Sequence, residues 1–335
     1  MPAAAQKPRL KLSDVRRWLV ENYSLDGDLT PLPGECDLNL KLRTEDGEGF
    51  VCKISAAGEF DRLAAQHDVL ARLNQEKLAA IPTVISSDGG ASLVPMSTGE
   101  ADYVGRLLSF VPGQPLAESS PYSADLIRDL GQLVGLMNRA LAGYDHPAFH
   151  YRFDWDLANS MEVVEGYAAE IEDREVRAAV DQIGEDFDQI VTPRLGHLPR
   201  SVIHNDANDY NVLAEGGRVT GLIDFGDMVH STTIADLAIA MAYASLGAEE
   251  IPQLVQVMAS AYHEHVPVGS EEIAVLFPMM RMRLAVSACM AARQQRLRPD
   301  DPYLSISQEP IRNTLPGLMA IDVDEIRAML EEELR

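Results

Sequence analysis

A chain of 335 residues with 46% hydrophobic content is long enough to bury a large core and to form two lobes. Its net charge of −24 argues against a nucleic-acid partner, which needs a basic footprint. Cys36, Cys52 and Cys289 are odd in number and lack metal-ligand spacing, and this fits small apolar packing in a reducing interior. Met1 to Arg9 is an Ala/Pro/Lys leader without the apolar core of a signal peptide. No run looks long enough to span a bilayer, so the expectation is a soluble, cytoplasmic protein with no membrane partner.

The first predicted element is a helix over Ser13 to Tyr23, with Ser13 or Asp14 as N-cap and a stripe of Leu12, Val15, Leu19 and Val20. Strands follow at Asp37–Leu42 and Phe50–Ile54, joined by a turn at Gly47-Glu48-Gly49, and then a helix from Glu59 to Leu73. Arg106 to Val111 reads as a strand broken by Pro112-Gly113, which predicts an N-lobe over 1–108, a linker over 109–113 and a helical C-lobe over 114–335. Asp125 to Leu141 is the clearest amphipathic helix of that second part. From Glu162 to Asp188, ten acidic residues face only Arg174 and Arg177. This run reads as a solvated helical face, with an acidic rim attracting an amine as the alternative.

Within the helical part lies a different pattern. Ser201-Val202-Ile203, Asn211-Val212-Leu213 and Val219 to Ile223 are short apolar runs suited to buried strands, and Glu215-Gly216-Gly217-Arg218 marks a hairpin turn. The first two runs flank His204-Asn205-Asp206-Ala207-Asn208-Asp209-Tyr210-Asn211, and Asp224-Phe225-Gly226-Asp227 begins thirteen residues after Asn211. H-x-D-x-x-x-x-N followed by D-F-G is the spacing that phosphoryl transfer uses. Asp206 is suited to accept a hydroxyl proton, while Asn211 and Asp224 offer oxygen ligands for Mg²⁺ on nucleotide phosphates.

These segments resemble the aminoglycoside phosphotransferase and choline kinase group, small-molecule kinases with a bilobal protein-kinase-like α+β fold. Val202 to Leu213 and Ile223 to His230 are most similar to the hydroxylysine-kinase branch and to kinase-like domains fused to aminotransferases. Gly105 to Leu116 is similar to the lobe linker, and Arg298 to Leu304 to a C-terminal segment. The resemblance implies Asp206 as base, Asn211 and Asp224 as Mg²⁺ ligands, and Lys53 as the cation on the phosphates of ATP or GTP. It also implies Ser109, Phe110 and Val111 as the backbone facing the base, and His204 and Asp236 as loop-orienting groups. The acceptor it implies is a small, amine-bearing hydroxyl compound, with hydroxylysine ahead of aminoglycosides, choline or homoserine.

Two positions depart from the pattern. Gln66 stands where a helix glutamate would pair with Lys53, and neither Asp68 nor Glu59 falls easily on the same helical face. This departure motivates a second reading, a catalytically quiet nucleotide-binding module. Leu32 to Asn39 has one glycine and two acids where protein kinases have a glycine-rich loop. For the acceptor, Asp209, Tyr210, Asp227 and His230 flank the motifs and serve equally as substrate contacts or as loop caps. Arg281 and Arg283 on an apolar helix read as a carboxylate clamp or as buried partners of acidic neighbours. Trp155 reads as a cation-facing wall or as core.

Overall fold

The computed structural model describes residues 7–34, 36–76, 78, 80–99, 101–119, 121–297 and 308–335. The Arg298 to Leu304 segment and Glu35 of the loop before the second strand lie outside the described residues. The chain divides into two compact units, Met1–Pro112 and Gly113–Arg335.

The first unit runs α1 (Leu12–Tyr23), β1 (Gly27–Leu32), β2 (Leu38–Thr44), β3 (Gly49–Ala56), α2 (Phe60–Leu73), β4 (Val84–Ile85), β5 (Val94–Ser97) and β6 (Asp102–Ser109). The strands form one antiparallel sheet in the order β1-β2-β3-β6-β4, with β5 also paired to β6. Alternation along a strand sends successive side chains to opposite faces. Leu40, Leu42, Cys52, Ile54 and Leu107 therefore meet Val15, Trp18, Leu19 and Tyr23 of α1 in one apolar core. On the other face, Leu63 of α2 packs with Leu93 and Val104.

The start of α1 corrects the sequence reading. Its N-cap is Lys11, without a side-chain cap bond, and Asp14 lies inside the first turn paired with Arg17. Leu12 and Val20 are each 45% exposed. The buried seam runs through Trp18 instead, because the Trp18 indole donates to the Pro95 carbonyl at 3.2 Å and lies so close to Gly105 that a Cβ there would fall 2.5 Å from the ring.

The second unit opens with β7 (Gln114–Pro115), α3 (Ala124–Leu141), α4 (Ser160–Tyr167) and α5 (Arg174–Ile190). Four strands follow: β8 (Arg200–Ile203), β9 (Val212–Glu215), β10 (Arg218–Leu222) and β11 (Val229–Thr232). It closes with α6 (Ala235–Ala244), α7 (Ile251–His263), α8 (Ser270–Leu297), α9 (Gln308–Ala320) and α10 (Val323–Glu333). The β9–β10 hairpin turns on Gly216 and Gly217, whose φ angles of +59° and +76° are open to glycine without strain. β8 pairs with β11, so the segments on either side of the H-x-D motif enter two different small sheets.

Helix α8 corrects a second expectation. It is 28 residues long with a window of mean hydropathy 1.5, which meets the length and apolarity of a membrane span. All of that window is buried inside the protein, and the helix carries ion-paired Arg281 and Arg283, so it reads as a central core helix.

Candidate active site

The loop from His204 to Asn211 leaves β8 and is pinned from α6. Asp236, fully buried, accepts the His204 N–H at 3.1 Å, the Asn205 N–H at 2.8 Å and the Asn138 amide at 2.8 Å. His204 is also fully buried, and burial lowers its pKa, keeping the ring neutral. Its Nδ1 accepts the Asp206 N–H at 3.2 Å, so Nε2 carries the proton and donates to the Ile223 carbonyl at 3.2 Å. The ring ties the Asp206 turn to Ile223, between the end of β10 and Asp224, with Phe225 packed edge-on at 4.6 Å.

The Asp206 carboxylate is held from both sides. Asn208 Nδ2 and Arg283 Nη2 donate to Oδ1 at 3.0 and 3.1 Å, and Asn211 Nδ2 donates to Oδ2 at 2.6 Å. Asn208 also folds the loop, since its Oδ1 accepts the N–H groups of Tyr210 and Asn211 at 2.8 and 2.9 Å. Arg283 is 1% exposed, donates to the Trp155 carbonyl at 2.8 Å, and lies 4.8 Å from the Trp155 ring centroid and 5.5 Å from that of Tyr243. The acidic-neighbour reading of both arginines is therefore the observed one, with Arg281 paired to Asp186 at 3.2 Å. That the neighbour of Arg283 is Asp206 is not visible in the sequence, where the two lie 77 positions apart.

Burial raises the Asp206 carboxyl well above the usual carboxylate range, and the charges of Asp227 and Asp224 add to this, while Arg283 and Asn208 oppose it. Three carboxylates acting on one another, beside an asparagine amide, form a hard oxygen donor set that suits a divalent cation such as Mg²⁺. Asn211 spends its N–H on Asp206, which turns its Oδ1 into the atom offered to a cation. Asp224 holds a left-handed φ of +59° directly before the Phe225–Asp227 turn.

The remaining candidates divide. Asp227 acts on the charge of Asp206, whereas Tyr210 joins the loop through its backbone N–H on Asn208. Asp209 is 7% exposed, its Oδ1 has no hydrogen-bond partner, and burial pushes its carboxyl up to about 6. Tyr210 is exposed. His230 stacks on His150 at 4.3 Å, and His150 in turn meets Asp145.

In the first unit, Lys53 is 8% exposed on β3, directly across from Arg106 on β6. Gln66 of α2 accepts from Arg106 Nη1 at 3.3 Å. The N–H groups of Ser109 and Phe110 donate to the Thr83 and Gly49 carbonyls at 2.9 and 3.1 Å. Those two N–H groups are therefore occupied within the unit.

Residues 28–273 match the phosphotransferase enzyme family APH, and the chain belongs to it: it is a phosphotransferase with a kinase-like fold. Among its relatives, hydroxylysine kinase of Mus musculus is 26% identical over 309 residues, covering 83% of this chain and 81% of that one. Homoserine kinase of Methylobacillus flagellatus is 26% identical over 280 residues, covering 82% of each chain. Amicoumacin kinase hAmiN in complex with AMP-PNP, Ca²⁺ and Ami shares the fold, with TM-score 0.71 at 15% identity and coverage of 95% of this chain and 97% of that one. A microcompartment-associated aminopropanol kinase gives TM-score 0.70 at 14% identity, with 97% and 99% covered. The resemblance drawn from the motifs around Asp206 and Asp224 is borne out.

Proposed function

We propose that this phosphotransferase moves the γ-phosphoryl group of ATP or GTP to the hydroxyl of a small amine-bearing acceptor, hydroxylysine or a related hydroxy amino acid. The observation that carries the reading is the Asp206 carboxylate, fixed by Asn208, Asn211 and Arg283 beside Asp224 and Asp227. In this role Asp206 accepts a hydrogen bond from the acceptor hydroxyl. It takes the proton as the new O–P bond forms and the bond to the departing diphosphate breaks. Mg²⁺, when held by Asn211 and Asp224, neutralises charge on the phosphoryl oxygens. Lys53 holds the nucleotide phosphates, and the His204–Asp236 scaffold keeps the loop in one geometry so that little reorganisation remains for the reacting step. Similarity to hydroxylysine kinases and to homoserine kinases supports a hydroxy amino acid as the acceptor.

The test is acceptor-dependent ADP or GDP release across hydroxylysine, homoserine, amino alcohols and aminoglycosides. The wild type should turn over one of the hydroxy amino acids fastest. Asp206→Asn should keep nucleotide binding and lose roughly 10²–10⁴ in kcat. Full turnover by Asp206→Asn would remove the assignment of the base. Nucleotide binding by the wild type without any acceptor-dependent release would favour the quiet-module reading.

A further inference from the structure

The loop between α3 and α4 meets β11 at three side chains of metal-ligand type, all within the second unit. His230 on β11 stacks on His150 with ring centroids 4.3 Å apart and planes 22° from parallel. His150 Nε2 lies 2.5 Å from Asp145 Oδ1. One ligand atom from each of Asp145, His150 and His230 falls within 4.8 Å of the other two. Zn–N and Zn–O bonds of roughly 2.0–2.2 Å set the ligand atoms of a tetrahedral site about 3.4 Å apart. The triad brackets that spacing, so side-chain turns of about 1 Å close a shell of this size. His150 and Asp145, with side chains 46% and 61% exposed, have room to make them.

The backbone beneath is anchored on both sides. Asp145 and His150 flank the Pro147–Phe149 turn, where His146 Nδ1 accepts the Ala148 N–H at 3.2 Å and Phe149 is fully buried. Tyr151 donates its hydroxyl to the Met228 carbonyl at 3.0 Å, two residues before His230. His230 itself sits opposite Val202 of β8. Arg200 of β8 donates to the His230 carbonyl at 3.1 Å, which commits that cation to the backbone of the strand. A carboxylate facing one histidine is an ordinary ion pair. A second imidazole laid on the first adds a nitrogen donor that such a pair does not call for.

We infer that Asp145, His150 and His230 form a second cation site, selective for a transition-metal dication of the zinc class, which ties the loop before α4 to β11. Two imidazoles and one carboxylate suit zinc and its first-row neighbours, whereas the oxygen donors of Asn211 and Asp224 suit Mg²⁺. The ion takes the place of the His150–Asp145 hydrogen bond, and the proton held there moves to solvent or to the other ring nitrogen. Three protein ligands leave the fourth tetrahedral position to water.

The experiment titrates zinc chloride into the full chain by isothermal calorimetry in excess magnesium chloride, and compares melting with and without zinc. The wild type should bind one zinc per chain and melt at a higher temperature with it. His150→Gln and Asp145→Asn each remove a ligand. Each should weaken zinc by at least the roughly 10–100-fold that losing a mere partner of a ligand costs, and should remove most of the melting shift. Melting without zinc checks that both variants fold, as substitutions at exposed positions should allow. Zinc affinity equal to the wild type in either variant would overturn the inference. So would a wild type that binds no zinc, or zinc that excess magnesium displaces, the mark of an oxygen site. Loss of zinc binding in Asp224→Asn with His150→Gln unaffected would put the zinc on the proposed Mg²⁺ ligands and overturn it as well.

Discussion

Asn205 and Asp224 hold φ angles of +65° and +59°, a region that costs a non-glycine residue about 1–2 kcal/mol. Both stand beside residues the proposed reaction uses, and the strain persists because neighbouring bonds over-determine it: Asp236 takes the Asn205 N–H, and Asn211 takes the Ile223 N–H just before Asp224. Arg283 belongs to the same fixing arrangement through its bond to Asp206. We expect it to act as a positioning residue. Arg283→Met should lower kcat by roughly 10²-fold with little change in KM for the nucleotide, because the lost contact orients the base and touches no nucleotide phosphate. Arg283→Lys should recover part of that loss by restoring the charge without the fork. Breaking a buried pair also destabilises by about 3–5 kcal/mol, so kcat is read on protein shown to be folded. A rise in KM with kcat preserved would assign Arg283 to substrate binding instead.

Helix α2 shows what a sequence reveals about an element and what it withholds. Its span was readable from its apolar spacing, and the β9–β10 hairpin from Gly216-Gly217 between two apolar runs. β1 was not readable, because Gly27–Leu32 is an edge strand with Pro31 inside it and half-exposed side chains, which blurs the period-2 signal. Nor was the partner of β8, since the β8–β11 pairing spans the whole hairpin and depends on long-range packing. The motif residues were legible because phosphoryl transfer fixes their spacing, whereas Arg283 was not, because a contact across a fold leaves no local pattern. On α2 itself, His67 is 7% exposed and neither ring nitrogen has a hydrogen-bond partner. Its pKa falls from 6.5 to about 4, through burial first and the Arg106 charge second. The folded pKa is below the unfolded one, so the unfolded chain binds the proton first as pH falls. Stability from this group is therefore intact above 6.5, declines below it, and levels off under about 4. By pH 5 the loss should reach about 2 kcal/mol. Urea midpoints of the wild type should drop between pH 7 and pH 5 by more than those of His67→Leu, and equal drops would contradict the assignment.

For the molecule as a whole, the charge of −24 invites the idea of an acidic surface that gathers a cationic acceptor. The densest acidic stretch argues against so specific a role. Helix α5 buries Val180, Ile183 and Phe187 and turns its acids outward or to arginines from other elements. Arg281 meets Asp186 of α5, and in the part of the stretch before the helix Arg152 meets Glu162, Arg296 meets Glu170 and Arg312 meets Asp173. Asp173 is further committed as the N-cap of the helix, accepting the N–H groups of Glu175 and Val176 at 3.0 and 3.2 Å. What remains exposed includes Asp181, Glu185 and Asp188, charges in water that salt screens over about 10 Å at 0.1 M. Neutralising all three (Asp181→Asn, Glu185→Gln, Asp188→Asn) should leave the acceptor KM within about twofold and stability within about 0.5 kcal/mol per site. Raising sodium chloride from about 50 to about 300 mM should change kcat/KM for a cationic acceptor equally in the triple variant and the wild type, because a general field is screened the same way in both. If the triple variant instead lost the salt dependence and its KM rose about tenfold, the α5 face would be the gathering surface after all.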